Sequence, residues 1–218
     1  METLTIPNQP ICEYEKISER TKFLSEVGGI VEINQVNWPG LFPKKIPVNV
    51  HVAHDCDKLF LLYQVKGEQL RTLSTNDFGE VWKDSCVEFF MQRDGESEYR
   101  NFECNALGAL LAAKHVSRNQ GVELRDEMPY IKRYSNIQHK YVDGKEVSDW
   151  SLYLEIPKSA LGFAENETLA NQKIRANFYK CGDETPEPHF LSWHPIETPE
   201  PDFHQPRFFG LMEFENEY

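Results

Sequence analysis

The chain has 218 residues and a mass of 25.4 kDa, long for one α/β domain and short for two, but ordinary for a single β-sandwich or barrel. Its 40% hydrophobic and 12% aromatic residues suffice for a packed core, which excludes general disorder. Lys and Arg number 23 against 35 Asp and Glu, and the formal charge of −12 argues against nucleic acid or membrane as a partner.

The opening METLTIPNQPICEYEKISER has no apolar core of a secretory signal, and nowhere do ~18 apolar residues run together as a membrane span needs. With residue 1 as the natural start, the protein is expected in the cytoplasm; had a leader been trimmed ahead of it, the protein would be secreted. Ile17–Val27 reads as a short helix. Strands are then expected near 29–34 (GIVEIN), 48–52 (VNVHV), 59–65 (LFLLYQV), 86–92 (CVEFFMQ), 99–105 (YRNFECN) and 109–114. Four more follow near 136–142, 150–156 (WSLYLEI), 174–181 (IRANFYKC) and 208–214 (FFGLMEF). Turn chemistry separates them at 54–57, Asp94-Gly95, Asp143-Gly144 and Gly182-Asp183, and Pro157–Leu161 reads as one turn opened by proline. Many short strands with few helices predict an all-β fold, an antiparallel β-sandwich forming one domain over residues 1–218.

Alternation within the strands sorts their side chains. Val87, Phe89 and Met91 fit a core, with Glu88 on the other face; Phe102 and Cys104 oppose Tyr99, Asn101, Glu103 and Asn105. Ile174, Ala176 and Phe178 likewise oppose Arg175, Asn177 and Tyr179, and Trp150, Leu152, Leu154 and Ile156 oppose Tyr153 and Glu155. The ordinary role of such polar alternates is a solvated outer face. Glu88, Glu103, Asn105, Asn177 and Tyr179 would nevertheless make one sheet face dense in carboxylates and amides. Two long polar segments, 66–85 and 182–207, carry Trp82 and Trp193; loops as long as the second are usually functional or disordered, and its aromatics argue against disorder. Each tryptophan either packs over the sandwich end or offers an apolar platform to a sugar ring, with neighbouring carboxylates and amides taking the hydroxyls. Trp150 is expected in the core, and Trp38, before Pro39-Gly40, is expected to be structural.

The succession LFLLYQVKGEQL, EVWKDSCVEFFMQ, YRNFECNALGALLAAK, DWSLYLEIPKSALG, KIRANFYKCGDE and SWHPIETPEPDFHQPRFFGLMEF resembles the family 9 carbohydrate-binding module from about Val48 to Phe214. The resemblance implies an immunoglobulin-like sandwich, DOMON-like in its wider kinship and often attached to xylanases. It also implies a terminal sugar clamped between two tryptophans, matched by Trp82 and Trp193. Glu88 matches the acidic residue after the first tryptophan and Asn105 an asparagine on the following strand. Glu103 stands where mapped members have a basic residue, which bears on sugar identity. The resemblance implies structural calcium too; the Asp55/Asp57 turn has oxygen donors but no EF-hand spacing, so the site stays unplaced.

The expected function is therefore non-catalytic binding of a mono- or oligosaccharide, with no catalytic residue and no cofactor. The alternatives are a glycoside hydrolase using Glu88 and Glu103 as its carboxylate pair, or an interaction module that has lost sugar binding. Haem, which some related DOMON sandwiches hold, would need axial ligands such as Met/His, and Met91 has no evident histidine partner. His189, His194 and His204, or His51 and His54, lack metal-motif spacing and are expected in turns or at the surface. The five scattered cysteines, Cys12, Cys56, Cys86, Cys104 and Cys181, suggest neither a disulfide framework nor a zinc ribbon.

Overall fold

The computed structural model describes residues 3–216. In chain order its strands are β1 (Leu4–Ile6), β2 (Gly29–Glu32), β3 (Gln35–Val36), β4 (Val48–His54), β5 (Lys58–Glu68), β6 (Cys86–Arg93) and β7 (Tyr99–Asn105). They continue as β8 (Leu110–Ser117), β9 (Gln120–Glu123), β10 (Lys132–Val142), β11 (Lys145–Pro157), β12 (Lys173–Gly182), β13 (His189–Ser192) and β14 (Gly210–Phe214). One helix of regular length, α1 (Ile17–Val27), lies where the sequence places it. Among the described residues no helix is long and apolar enough to cross a membrane.

The strands form a sandwich of two sheets. One runs β1-β14-β12-β6-β7-β8-β9, with β13 added beside β12 and β3 beside β13; the other runs β10-β11-β5-β4-β2. Pairing is antiparallel throughout, apart from the short parallel pair of β1 with β14. The inward residues meet the alternation expected of them: Val87, Phe89, Met91, Phe102, Cys104, Ala176, Phe178, Trp150 and Leu152 all belong to one buried cluster between the sheets. Burying a large apolar side chain contributes about 1.5–3 kcal/mol, so this layer is the main source of stability.

The outer faces depart from expectation. On the five-stranded sheet, α1 sets Leu24 over Ala53, Phe60, Leu62 and Tyr153, and Arg20 reaches down to Glu155, which is fully buried. On the nine-stranded sheet, Trp38, Phe203 and Phe209 cover Phe90, Tyr99 and Tyr179. Polar alternates such as Asn177 and Glu88 are thus buried rather than solvated, Asn177 beneath the segment it holds through His194. The histidines expected at the surface are likewise inside: His51, His54 and His189 are buried, and burial lowers their pKa, for His54 to about 4.

Residues 182–207 are not one long loop. His189–Ser192 forms β13, pairing with β12 from Tyr179↔Ser192 to Gly182↔His189. The segment that follows is pinned over the sheet: Trp38 donates to the Thr198 carbonyl at 2.7 Å, Tyr179 donates to the Phe203 carbonyl at 3.1 Å, and the Tyr179 and Phe203 rings stack at 4.1 Å.

Candidate functional site

A cleft of about 420 Å³ opens on the outer face of the nine-stranded sheet. Its floor is the outward row of three neighbouring strands: Glu88 and Phe90 of β6, Asn101 and Glu103 of β7, and Leu111, Ala113 and His115 of β8. Trp82, Cys181, Asp183 and Phe190 border one side; Phe203 and His204 come from the covering segment, and Arg118 and Gly121 from the β8–β9 hairpin. The volume falls within the ~300–1,000 Å³ typical of small-molecule sites.

Register places the two floor carboxylates side by side, with Glu88 directly across from Glu103. Glu88 is 3% exposed and Glu103 6%. The Cys181 thiol donates to Glu88 Oε1 at 3.0 Å, and Asn101 Nδ2 donates to Glu103 Oε1 at 2.7 Å. Asn101 is itself oriented by His115, whose Nε2 lies 3.1 Å from its Oδ1. Burial lowers the His115 pKa, so a neutral imidazole donating from Nε2 fits the contact. Gly121 makes room for this ring, since a Cβ there would stand 2.5 Å from it.

Burial pushes both carboxyls up, Glu103 to about 7, and Glu88 well above the usual range, with Cys181 and Glu103 adding to the effect. The linkage has a definite sign. Folded Glu103 keeps its proton to about pH 7, whereas the unfolded carboxyl loses it near ~4.3. Between those values the folded chain binds more protons, so stability present at low pH is lost as pH rises toward 7. Glu103→Gln removes this loss. In paired thermal melts, the variant should therefore gain on the parent between about pH 4.5 and pH 7.5. Buried His54 and His204, lowered to about 4, act in the opposite direction but are common to both proteins. A melting difference that stays flat with pH would contradict this reading of Glu103.

The structure brings together three of the seven sequence-derived site residues, Trp82, Glu88 and Glu103. Asn105 is committed to a turn: its Nδ2 donates to Ser74 O and Asp84, and its Oδ1 accepts from Leu107 N and Ala109 N. Asn177 holds the start of the covering segment through His194 N and O, and Tyr179 supports Phe203. Trp193 requires a larger correction. Alternation along β13 turns Phe190 outward beside Cys181 and Leu191 inward beside Lys180, so Trp193, two residues further, is inward too. It packs on Phe178 at the edge of the inter-sheet core, with centroids 5.8 Å apart. Trp82 and Trp193 therefore lie on opposite faces of one sheet and do not form the two walls of a clamp. Phe190, Phe203, Asp183, Arg118 and His115 are cleft residues that the sequence reading missed.

The Asp55/Asp57 turn does not fit calcium. Asp55 Oδ1 accepts the backbone N–H of Asp57 and Lys58, and Asp57 pairs with Lys158. Among the described residues, the grouping closest to a metal donor set is Cys86, Glu88 and Cys181, with ligand atoms within 4.8 Å of one another. Burial pushes both thiols up, Cys86 to about 12, which keeps them protonated at neutral pH.

Fold and cleft together define a two-sheet β-sandwich with a concave polar face edged by aromatic rings. The chain belongs to carbohydrate-binding family 9, whose model matches residues 23–214. It is similar to a candidate carbohydrate-binding protein from Bacteroides uniformis, with 32% identity, TM-score 0.83 and coverage of 99% of this chain and 98% of that one. Two structures of a family 9 module from Caldicellulosiruptor kristjanssonii share the fold at TM-score 0.57. The one with glucose is 9% identical and the one with cellotriose 8%; each match covers all of this chain and 97% or 95% of the other. No curated protein matches the chain.

Proposed function

We propose that this protein binds carbohydrate in the outer-face cleft without transforming it. The observation that carries the proposal is the union in one cleft of Trp82, a half-buried ring, with two buried carboxylates on the neighbouring floor. A pyranose has an apolar C–H face and a rim of hydroxyls, so it needs both kinds of partner. In this reading Trp82 receives the ring face, Glu88 and Glu103 take hydroxyls, and Phe190 and Phe203 exclude water. Trp193 is a packing residue.

The same carboxylates argue against hydrolysis. Glycosidases flank the scissile bond with carboxyls on two sides, ~5 Å or ~6.5–9.5 Å apart. Glu88 and Glu103 are cross-strand neighbours on one floor, a placement that puts both against the same side of a bound ring. Glucose and cellotriose, the ligands of the Caldicellulosiruptor modules, are first compounds to test here. Calorimetry should give dissociation constants in the roughly micromolar to millimolar range, about −8 to −4 kcal/mol. Aryl glycosides should remain intact. Failure of a broad sugar panel to bind at millimolar concentration, or hydrolysis abolished by Glu88→Gln, would overturn the reading.

A further inference from the structure

Acidic side chains outnumber basic ones in the cleft, and the imbalance has a definite location. Five carboxylates line the cleft. Two are balanced by arginine: Asp202 by Arg118 at 3.2 Å and Glu123 by Arg125 at 2.5 Å. Glu88, Glu103 and Asp183 have no cation within ion-pair distance among the described residues. Glu88 and Glu103 are both more than nine-tenths buried, and each uses only Oε1 in its hydrogen bond with a neighbour. Their Oε2 atoms have no partner among the described residues and are left to the cleft that both side chains line.

Buried carboxylates without a counter-ion are normally avoided, because desolvation opposes the charge and a like-charged neighbour adds to the penalty. A neutral sugar satisfies their hydrogen bonds but does nothing to stabilise their charged form. A uronic acid adds a third negative group. An ammonium group supplies both what the geometry lacks and what the electrostatics lack, donating charge-assisted hydrogen bonds to two oxygens at once. Resting on the carbohydrate reading above, we infer that the cleft selects an amino sugar, with its protonated amine seated between Glu88 and Glu103 and its ring on Trp82.

The titratable groups facing the pair do not supply the missing cation. Cys181 and Tyr179 of β12 have pKa values held well above their usual range by burial, and so remain neutral thiol and phenol. His115 of β8 and His204 of the covering segment are both lowered by burial and remain neutral. Asp183, at the rim, is raised to about 6 by burial and adds negative charge above that pH. Arg118 is already paired with Asp202. In the empty cleft the pair therefore retains protons near neutral pH, and an entering ammonium should displace one, whereas a neutral sugar should not.

The test is calorimetry on the whole protein at about pH 6, where glucosamine carries its proton, with glucosamine, glucose, N-acetylglucosamine and glucuronate as probes. Glucosamine should bind about tenfold or more tightly than glucose, with N-acetylglucosamine near glucose and glucuronate weakest. Repeating the titration in two buffers of different ionisation heat should show close to one proton released per glucosamine and about none per glucose. Glu88→Gln and Glu103→Gln should each bring the glucosamine-to-glucose ratio toward one. The ratio in the unaltered protein decides the matter even if a variant folds poorly. Glucose binding as tightly as glucosamine overturns the inference and leaves carbohydrate binding standing; failure of all four probes at millimolar concentration overturns both. Binding that disappears with a chelator and returns with calcium or zinc would make the pair a metal site and likewise overturn the inference.

Discussion

Trp82→Ala should lower the affinity for every sugar that the cleft accepts by about 5- to 30-fold while changing the melting temperature little. Trp193→Ala should do the reverse. The first magnitude follows from the ~1–2 kcal/mol that a stacked apolar ring face contributes. The loss should be uniform across epimers, because stacking contacts only the C–H face. Trp82 can act as a platform because the turn that carries it is fixed by other groups. Val81 is buried beneath the turn, and the Asp84 carboxylate accepts from Leu73 N, Ser74 N and Asn105 while pairing with Arg71. Asp183 N donates to the Trp82 carbonyl at 3.2 Å, which ties the turn to the end of β12. Removing the indole leaves this scaffold in place. Trp193 instead fills space against Phe178, and its deletion should cost about 1–3 kcal/mol of folding stability with affinity unchanged. Calorimetry and thermal unfolding on both variants give the two readouts. If Trp193→Ala weakens sugar binding as much as Trp82→Ala, the cleft is not where the sugar sits.

How far the sequence conveys this site depends on the kind of information each part needs. Alternation in CVEFFMQ and YRNFECN is regular enough about Val87, Phe89, Met91, Phe102 and Cys104 that the faces of β6 and β7 were legible, including the shared face of Glu88 and Glu103. Alternation does not report what covers that face. Tyr179 looks like a solvated alternate until Phe203, distant in sequence, is seen to stack on it, and Asn177 until it is seen to hold His194. Short strands left weaker traces. All four residues of β9 are exposed, so no apolar period marks it, and β13 is a four-residue strand in a proline-rich stretch. Missing β13 also hid the parity that separates Trp193 from the cleft and brings Phe190 into it. The family resemblance pointed to Trp82, Glu88 and Glu103, which the fold brings to one cleft, but position by position it could not detect that the second tryptophan points inward.

Lys180→Met should destabilise the protein by about 3–5 kcal/mol, and replacing Glu68 by leucine in the same chain should recover much of that loss. The same alternation that sends Cys181 to the cleft sends Lys180 into the sandwich, where it is fully buried. Its Nζ lies 2.8 Å from Glu68 Oε1, from the Cys181 carbonyl and from His189 Nε2, so all three of its donors are used. Burial and the Lys180 charge lower His189 to about 2, which keeps that ring neutral and able to accept. Glu68 Oε2 accepts from Trp150 Nε1 at 2.8 Å, which completes a polar network inside an apolar layer. The pair joins β5 of one sheet to β12 of the other, so it bridges the two layers. Removing the lysine alone leaves a buried carboxylate without a counter-charge, which is the expensive change; removing both charges replaces the pair with apolar volume, which is often near neutral. Denaturant unfolding of the two single variants and the double variant measures the coupling directly. Because Lys180 faces away from the cleft, sugar affinity in the double variant should match that of the parent. A Lys180→Met protein within about 1 kcal/mol of the parent would mean that Glu68 takes up a proton or water at little cost, and that the sheets are held in register by the apolar core alone.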